Sequence, residues 1–270
     1  MTDWLEVARL IVQDIDAVLA EQPTRLEREP VVGAGEGGDE TTAVDAAAER
    51  AAVARLEKLA ATGAGFTLVS EELGERSFGA STPRLVLDPI DGSMNAKRGV
   101  PFFSVSLAVA DGPTMNDVFF GYVFDFGARE EWVGRRGAGA FLNEEPLSGP
   151  GPKEEPEILS FEATLTDSVA AQVGDMVGFA PRTRIMGSLA LTLCHLAAGR
   201  VDAVCSLKPA RSVDIAAGQL LVRERGFAID LPDRPPYAEA PLDVSAHSRV
   251  VAAATPELCA ELYRRLSATG

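Results

Sequence analysis

Apolar residues in the first sixty positions recur at helical spacing. Trp4, Leu5, Ala8, Ile11, Val12, Ile15, Val18 and Leu19 fall on one face of a helix, and from Ala47 to Leu59 the same period returns with Val53, Leu56 and Leu59 inside. Two such stripes need an apolar partner, and a sheet is the expected one. Leu85–Leu87, Phe103–Val109, Val118–Phe124 and Glu131–Val133 read as its strands, with Gly137 to Asn143 continuing as a hairpin. The stretch from Glu144 to Pro156 then holds Pro146, Pro150, Pro152, Pro156 and two glycines, a composition that continues neither helix nor sheet. It predicts a connector over 146–156 between an N-terminal lobe, 1–145, and a C-terminal lobe, 157–270. In the second lobe the pattern gives a strand at Ile158–Phe161 followed by a helix, and a further helix at Ser188–Ala198. A strand at Val201–Ser206, a helix at Asp214–Glu224, strands at Phe227–Asp230 and Val250–Ala254, and a closing helix from Glu257 complete it. There is no internal repeat. Alternating helices and strands place the chain in the α/β class.

Composition narrows the function. With 270 residues and 46% hydrophobic content, the chain can bury a large core. The 40 acidic residues outnumber 25 basic ones, and no Lys/Arg run supplies the footprint of a nucleic-acid or membrane binder. Neither partner is expected. Acidity aids solubility, but a protein of net charge −15 that handled an anionic substrate would need localised positive charge, which bound metal ions supply. No apolar segment reaches membrane length, and the start Met1-Thr-Asp-Trp-Leu-Glu6 lacks the positive charge of a signal peptide, so the expected location is cytoplasmic. Cys194, Cys205 and Cys259 have no metal-ligand spacing and read as reduced core residues.

The candidate chemistry centres on Arg84-Leu-Val-Leu-Asp-Pro-Ile-Asp-Gly-Ser93, where a hydrophobic run delivers Asp88 and Asp91 into a Pro/Gly turn. Two carboxylates and the Ile90 carbonyl can then face one volume. Mg²⁺ takes oxygen ligands and is commonly held by one or two carboxylates plus substrate phosphate, although a bare turn of this type is also compatible with an ordinary acidic loop. Three more acidic elements stand at predicted element ends: Asp39-Glu-Thr-Thr-Ala-Val-Asp45 before a helix, Ser70-Glu71-Glu72 after an apolar strand, and Val213-Asp214 opening a helix. Asp214 at a helix N-terminus suits either a simple cap or an anion-facing site.

In combination and order, these segments resemble the inositol monophosphatase superfamily of Mg²⁺-dependent, lithium-sensitive phosphomonoesterases. The resemblance rests on Asp45, Glu71-Glu72, Asp88-Pro-Ile-Asp-Gly-Ser93, Pro101-Phe-Phe-Ser-Val-Ser-Leu107, the segment from Met186 to Ala203, and Asp214-Ile-Ala-Ala-Gly218. Gly33-Ala-Gly35 and Ser-Glu-Glu-Leu-Gly74 are most similar to the archaeal and bacterial branch of inositol monophosphatase/fructose-1,6-bisphosphatases. The resemblance implies a layered αβαβα sandwich with the site between the lobes. It also implies one Mg²⁺ on Glu71, Asp88 and the Ile90 carbonyl, a second on Asp88, Asp91 and Asp214, and a weaker third ion that also touches Glu71. Gly92 and Ser93 would offer N–H groups to phosphate. The Ser93 hydroxyl, with Asp45 behind it, would orient and help deprotonate the attacking water, while the same hydroxyl also suits a helix cap. Glu72 reads as a solvated neighbour more readily than as support for a ligand. A homodimer is implied as well.

Specificity is written in fewer residues. The animal inositol enzymes carry a Glu upstream of the late Asp, where this chain has Cys205-Ser-Leu-Lys-Pro-Ala-Arg-Ser212. Lys208 and Arg211 instead bring cations near the mouth, and Arg182 and Arg184 precede the Gly187-Ser188 turn expected to border the substrate. A second phosphate would suit them, as would caps or surface ion pairs. His195 sits in an apolar helix and reads as a packing residue; neither it nor His247 is needed for metal-assisted hydrolysis. The expected activity is phosphomonoester hydrolysis of a small phosphorylated substrate, inositol monophosphate with fructose-1,6-bisphosphate as a further one. A phosphatase for 3′-phosphoadenosine 5′-phosphate or histidinol phosphate, and a non-enzymatic binding protein, are the other readings.

Overall fold

The computed structural model describes residues 2–36, 40–162, 165–234 and 236–267. Asp39 of the first acidic segment lies outside the described residues. Helix α1 (Trp4–Glu21) is capped by Asp3, whose carboxylate accepts from Leu5 N at 3.1 Å, and it buries Val7, Ala8, Ile11, Val12 and Ile15. After the short α2 (Arg25–Arg28) come β1 (Val31–Ala34) and β2 (Glu40–Thr42), a two-stranded antiparallel ribbon. Helix α3 (Ala43–Ala61) begins with a capping box in which Thr42 N donates to Asp45 Oδ2 at 3.1 Å, a contact type worth about 1 kcal/mol.

A seven-stranded sheet follows. Strand β3 (Phe66–Ser70) is flanked on both sides by β4 (Gly74–Asp91), which first runs antiparallel to it (Ser70 opposite Gly74, Thr67 opposite Ser77). It then returns parallel on the other side, with Thr67 opposite Arg84 and Ser70 opposite Leu87. Helix α4 (Ser93–Arg98) leads to the antiparallel strands β5 (Ser104–Ala110), β6 (Val118–Asp125), β7 (Glu130–Arg135), β8 (Gly139–Leu142) and β9 (Glu145–Pro146). Pro146, read from composition as connector, pairs with Phe141 in β9 instead. The sheet ends at β9, and an edge strand accommodates a residue with no N–H to donate.

The second sheet is built from β10 (Ile158–Glu162), then α5 (Thr166–Gln172), β11 (Arg182–Arg184), α6 (Leu189–Ala197), β12 (Ala203–Ser206), α7 (Ser212–Glu224), β13 (Ala228–Asp230), β14 (Val251–Ala253) and α8 (Pro256–Ser267). Its order is β11-β10-β12-β14-β13, parallel among the first three strands and antiparallel beyond. Helix α7 starts at Ser212 rather than Asp214, because Asp214 reaches back to the Arg211 N–H at 2.8 Å and therefore occupies the third helical position.

Three apolar clusters define the layers. The first joins α1 and α3 to Leu68, Leu85, Leu87, Val105 and Leu107 of the large sheet. The second packs Val69, Val86 and Ala108 from the opposite face against α6 and α7, whose other side meets Val204 and Ala252. Ala203, Cys205, Val251 and Ala253 face outward to Leu262 and Leu266 of α8. Alternate residues of each strand thus serve different layers, as the period of two requires. The result is the αβαβα sandwich, with α6 and α7 wedged between the sheets.

Candidate metal centre and active-site cleft

Six elements end at one cleft of about 520 Å³, and each delivers a polar group. Glu71 and Glu72 follow β3, Asp88 to Asp91 close β4, Ser93 opens α4, Asp45 stands in the first turn of α3, Asp214 in that of α7, and Glu162 ends β10. Asp88, Asp91 and Asp214 offer oxygen atoms that all lie within 4.8 Å of one another. Asp88 is 2% exposed and Asp91 7%, so little water screens them. Asp88 Oδ1 accepts from Ile90 N at 2.9 Å across Pro89, which turns the Ile90 segment around the carboxylate. Asp91 Oδ2 accepts from Ser188 Oγ and from Ala190 N at 2.8 Å, the opening of α6. The turn after Asp91 needs glycine: Gly92 has φ +97°, and a Cβ there would lie 3.0 Å from Gly187 O and 3.2 Å from Phe102 O.

The electrostatics follow from burial. Glu71 is pushed up to about 8 by burial, against the pull of Arg211, whose Nη2 donates to Glu71 Oε1 at 2.6 Å. Burial and the neighbouring Glu71, Asp91 and Asp214 charges hold Asp88 well above the usual carboxylate range. Asp91 rises to about 7 through burial and Asp214, despite its bonds from Ser188 and Ala190. Carboxylates crowded in this way favour a bound cation, and an all-oxygen set of three aspartates fits a hard divalent ion. Asp45, 5% exposed, lines the same cleft; its Oδ2 is taken by Thr42 while its Oδ1 is buried with no hydrogen-bond partner. Ser93 Oγ donates to the Ile90 carbonyl at 3.0 Å.

Among residues singled out from sequence, Asp45, Glu71, Glu72, Asp88, Ile90, Asp91, Gly92, Ser93, Gly187, Lys208, Arg211 and Asp214 all line the cleft. Ser188 is buried just behind it, holding Asp91. Glu72 accepts from Thr41 Oγ1. Arg211 forms ion pairs with Glu71 and, at 3.6 Å, with Asp214. Arg182 and Arg184 lie exposed on edge strand β11, outside the cleft lining, so sequence proximity to the Gly187 turn did not bring them to the site. His195 packs edge-on against Phe102 at 5.4 Å, and burial lowers it to about 4, a packing role. Sequence reasoning did not single out Glu40, Glu162 or Ser206, and it set His247 aside; all four line the cleft. The one local signal for Glu162 was a carboxylate closing an apolar strand, the same signal that had marked Glu71.

A family model, Inositol monophosphatase family, matches residues 3–269. The chain belongs to the inositol monophosphatase family. It is 31% identical to the fructose-1,6-bisphosphatase/inositol-1-monophosphatase of Methanothermobacter thermautotrophicus over 97% of this chain and 96% of that one. The namesake from Archaeoglobus fulgidus is also 31% identical, over 93% of each. A solved inositol monophosphatase–fructose 1,6-bisphosphatase superposes with TM-score 0.83 at 25% identity, over 98% of this chain and all of the other. Family membership makes this chain a phosphoric monoester hydrolase. No helix among the described residues is long and apolar enough to cross a membrane.

Proposed function

We propose that the chain is a Mg²⁺-dependent phosphomonoesterase acting on polyol and sugar phosphates, with inositol monophosphate as one substrate and fructose-1,6-bisphosphate as another. The observation that carries this reading is the convergence of Asp88, Asp91 and Asp214 in a cleft that Asp45 also lines. Asp88, Asp91, Asp214, Glu71 and the Ile90 carbonyl would hold the divalent ions. When bound, such ions neutralise phosphate charge, make a bound water more acidic and stabilise the departing alkoxide. Asp45 would accept the proton of the attacking water, and the Ser93 hydroxyl would orient it. Gly92 and Ser93 flank the phosphate. Ser206, Lys208 and His247, which also line the cleft, would supply acceptors and donors for hydroxyl groups.

Among the described lining residues there is no Phe, Tyr or Trp ring on which a purine could stack, which favours a polyol over a nucleotide. Phosphate release from inositol 1-phosphate, fructose-1,6-bisphosphate, 3′-phosphoadenosine 5′-phosphate and histidinol phosphate tests the reading, first with Mg²⁺ and then with EDTA. Fastest release from the first two, lost in EDTA, is expected. Preference for the nucleotide, or turnover indifferent to EDTA, overturns it. Lys208 is the cation assigned to a distal phosphate, so Lys208→Glu should raise KM for the bisphosphate about tenfold more than for the monophosphate. Equal shifts would remove Lys208 from specificity.

A further inference from the structure

Glu162 ends β10, is 7% exposed and lines the cleft, and it has no role in the reading above. Its Oε2 accepts from Gly187 N at 3.0 Å, while Oε1 accepts from Thr192 Oγ1 at 2.7 Å and Ser160 Oγ at 3.1 Å. Burying a carboxylate is costly, and burial pushes this one up to about 7. Three donors aimed at it compensate, and hydrogen bonds to a charged acceptor are roughly twice as strong as neutral ones. What they hold is the turn Met186-Gly187-Ser188. On the other side of that turn Asn95 Nδ2 donates to Met186 O and to Phe102 O, each at 2.7 Å. Gly187 itself has φ +88°, and a Cβ there would meet Asn95 Nδ2 at 3.1 Å. The turn is therefore clamped by β10 on one side and by α4 on the other, and it leads into the two groups, Ser188 Oγ and Ala190 N, that hold one oxygen of Asp91.

We propose that Glu162 is a positioning residue for the metal centre: by locking the Gly187-Ser188 turn and the start of α6, it fixes the Asp91 carboxylate in the orientation that binds the ion. The inference rests on the assignment of Asp91 as a metal ligand. Groups that orient metal ligands through hydrogen bonds contribute about 10- to 100-fold to metal affinity. A residue that merely tied α6 to β10 would change melting temperature and leave the affinity of the folded protein alone.

Calorimetric titration of the full chain with Mg²⁺, without substrate, separates these cases when run on the parent, Glu162→Ala and Glu162→Gln, alongside melting curves and the Mg²⁺ dependence of phosphate release. Glu162→Ala should weaken Mg²⁺ binding about tenfold or more. Glu162→Gln, which keeps an acceptor of the same shape, should weaken it by less, about threefold, and excess Mg²⁺ should restore most of the lost rate in both. Parent-like Mg²⁺ affinity in folded Glu162→Ala overturns the proposal. Should the alanine variant not fold, parent-like affinity in Glu162→Gln overturns it equally. A parent that binds no Mg²⁺ defeats the reading of the whole site, and this role with it, whereas an active, Mg²⁺-binding parent with unshifted variants removes only Glu162.

Discussion

Among the described residues, two groups of side chains bring potential metal-binding atoms within 4.8 Å of one another, and only one of them has the character of a metal centre. Where β6, β7 and α6 meet, Asp125, Glu130 and His195 are already satisfied. Arg200 donates to both oxygens of Glu130 at 2.6 and 2.7 Å, Asp125 Oδ1 accepts from Gly127 N and Ala128 N at 2.7 and 3.0 Å, and His195 is held neutral among aromatic rings. In the cleft, four carboxylates, Glu71, Asp88, Asp91 and Asp214, crowd together, and Arg211 forms ion pairs with Glu71 and Asp214. Burial raises Asp125, Asp88 and Asp91 alike, but Asp125's neighbour Glu130 is neutralised by Arg200, whereas Asp88 faces Glu71, Asp91 and Asp214 together. Proximity of ligand atoms is common to both groups. What separates them is how many acids crowd together for the counter-charge the protein supplies.

The sharpest way to break this contrast is to neutralise one acid in each group. Asp88→Asn removes charge shared by the proposed ion sites, where metal stabilisation of the transition state is worth several kcal/mol. At tenfold per 1.36 kcal/mol, kcat should fall about 10³-fold or more. Asp125→Asn should leave the Mg²⁺ dependence of kcat intact while costing about 1 kcal/mol of stability from the turn it caps. Steady-state phosphate release across Mg²⁺ concentrations decides; a fully active Asp88→Asn would end the metal assignment.

Ser93→Ala, next in size, tests the chemistry performed beside the acids. Its hydroxyl acts on the attacking water, so kcat should fall about 10²-fold with KM nearly unchanged. A change confined to KM would reassign Ser93 to substrate binding or to opening α4.

Proton and metal linkage sharpens the contrast further. Asp91 titrates at about 7 and Glu71 at about 8 in the folded protein, against 3.8 and 4.5 for the ordinary groups. In that window the unfolded chain has released protons that the folded one still holds, so the metal-free protein loses stability as pH rises through it. Mg²⁺ binds the deprotonated acids and should reverse the loss, by about 2.7 kcal/mol at a hundred times its Kd. Melting curves with and without Mg²⁺ at about pH 5.5 and pH 8.5 are the measurement; a larger Mg²⁺ gain at the lower pH would contradict the assignment.

Much of this was legible because local pattern and local chemistry coincide. The turn at Asp88–Asp91, the acid ending β3 and the acids in the first turns of α3 and α7 are fixed by sequence neighbours, and all arrive at the cleft. What escaped the sequence depends on distant partners. The first arm of β4, Gly74 to Phe78, shows no apolar alternation because Glu75, Arg76 and Ser77 are exposed, yet it pairs with β3. Arg211 reads locally as a cation at the mouth, whereas its bond to Glu71 spans 140 positions. Glu162 reads as a strand end until Gly187 and Thr192, 25 and 30 positions away, converge on it.

The smallest expected effect comes from removing the counter-charge beside Asp125, Glu130 and His195. Arg200 stacks over Trp132 at 4.9 Å and pairs with Glu130, but its side chain is 37% exposed, so solvent screens much of the ion pair. Arg200→Met keeps most of the packing over the indole and loses the charge, which should lower stability by about 1 kcal/mol. Phosphatase activity and its Mg²⁺ dependence should stay at parent values, since neither Asp125, Glu130 nor His195 lines the cleft. Denaturant unfolding gives the first quantity and initial rates the second. A loss of activity in folded Arg200→Met would mean that the two groups are coupled through α6, which carries His195 at one end and opens beside Asp91 at the other. The counter-charge at one end of α6 would then set the geometry of the more crowded acids at the other.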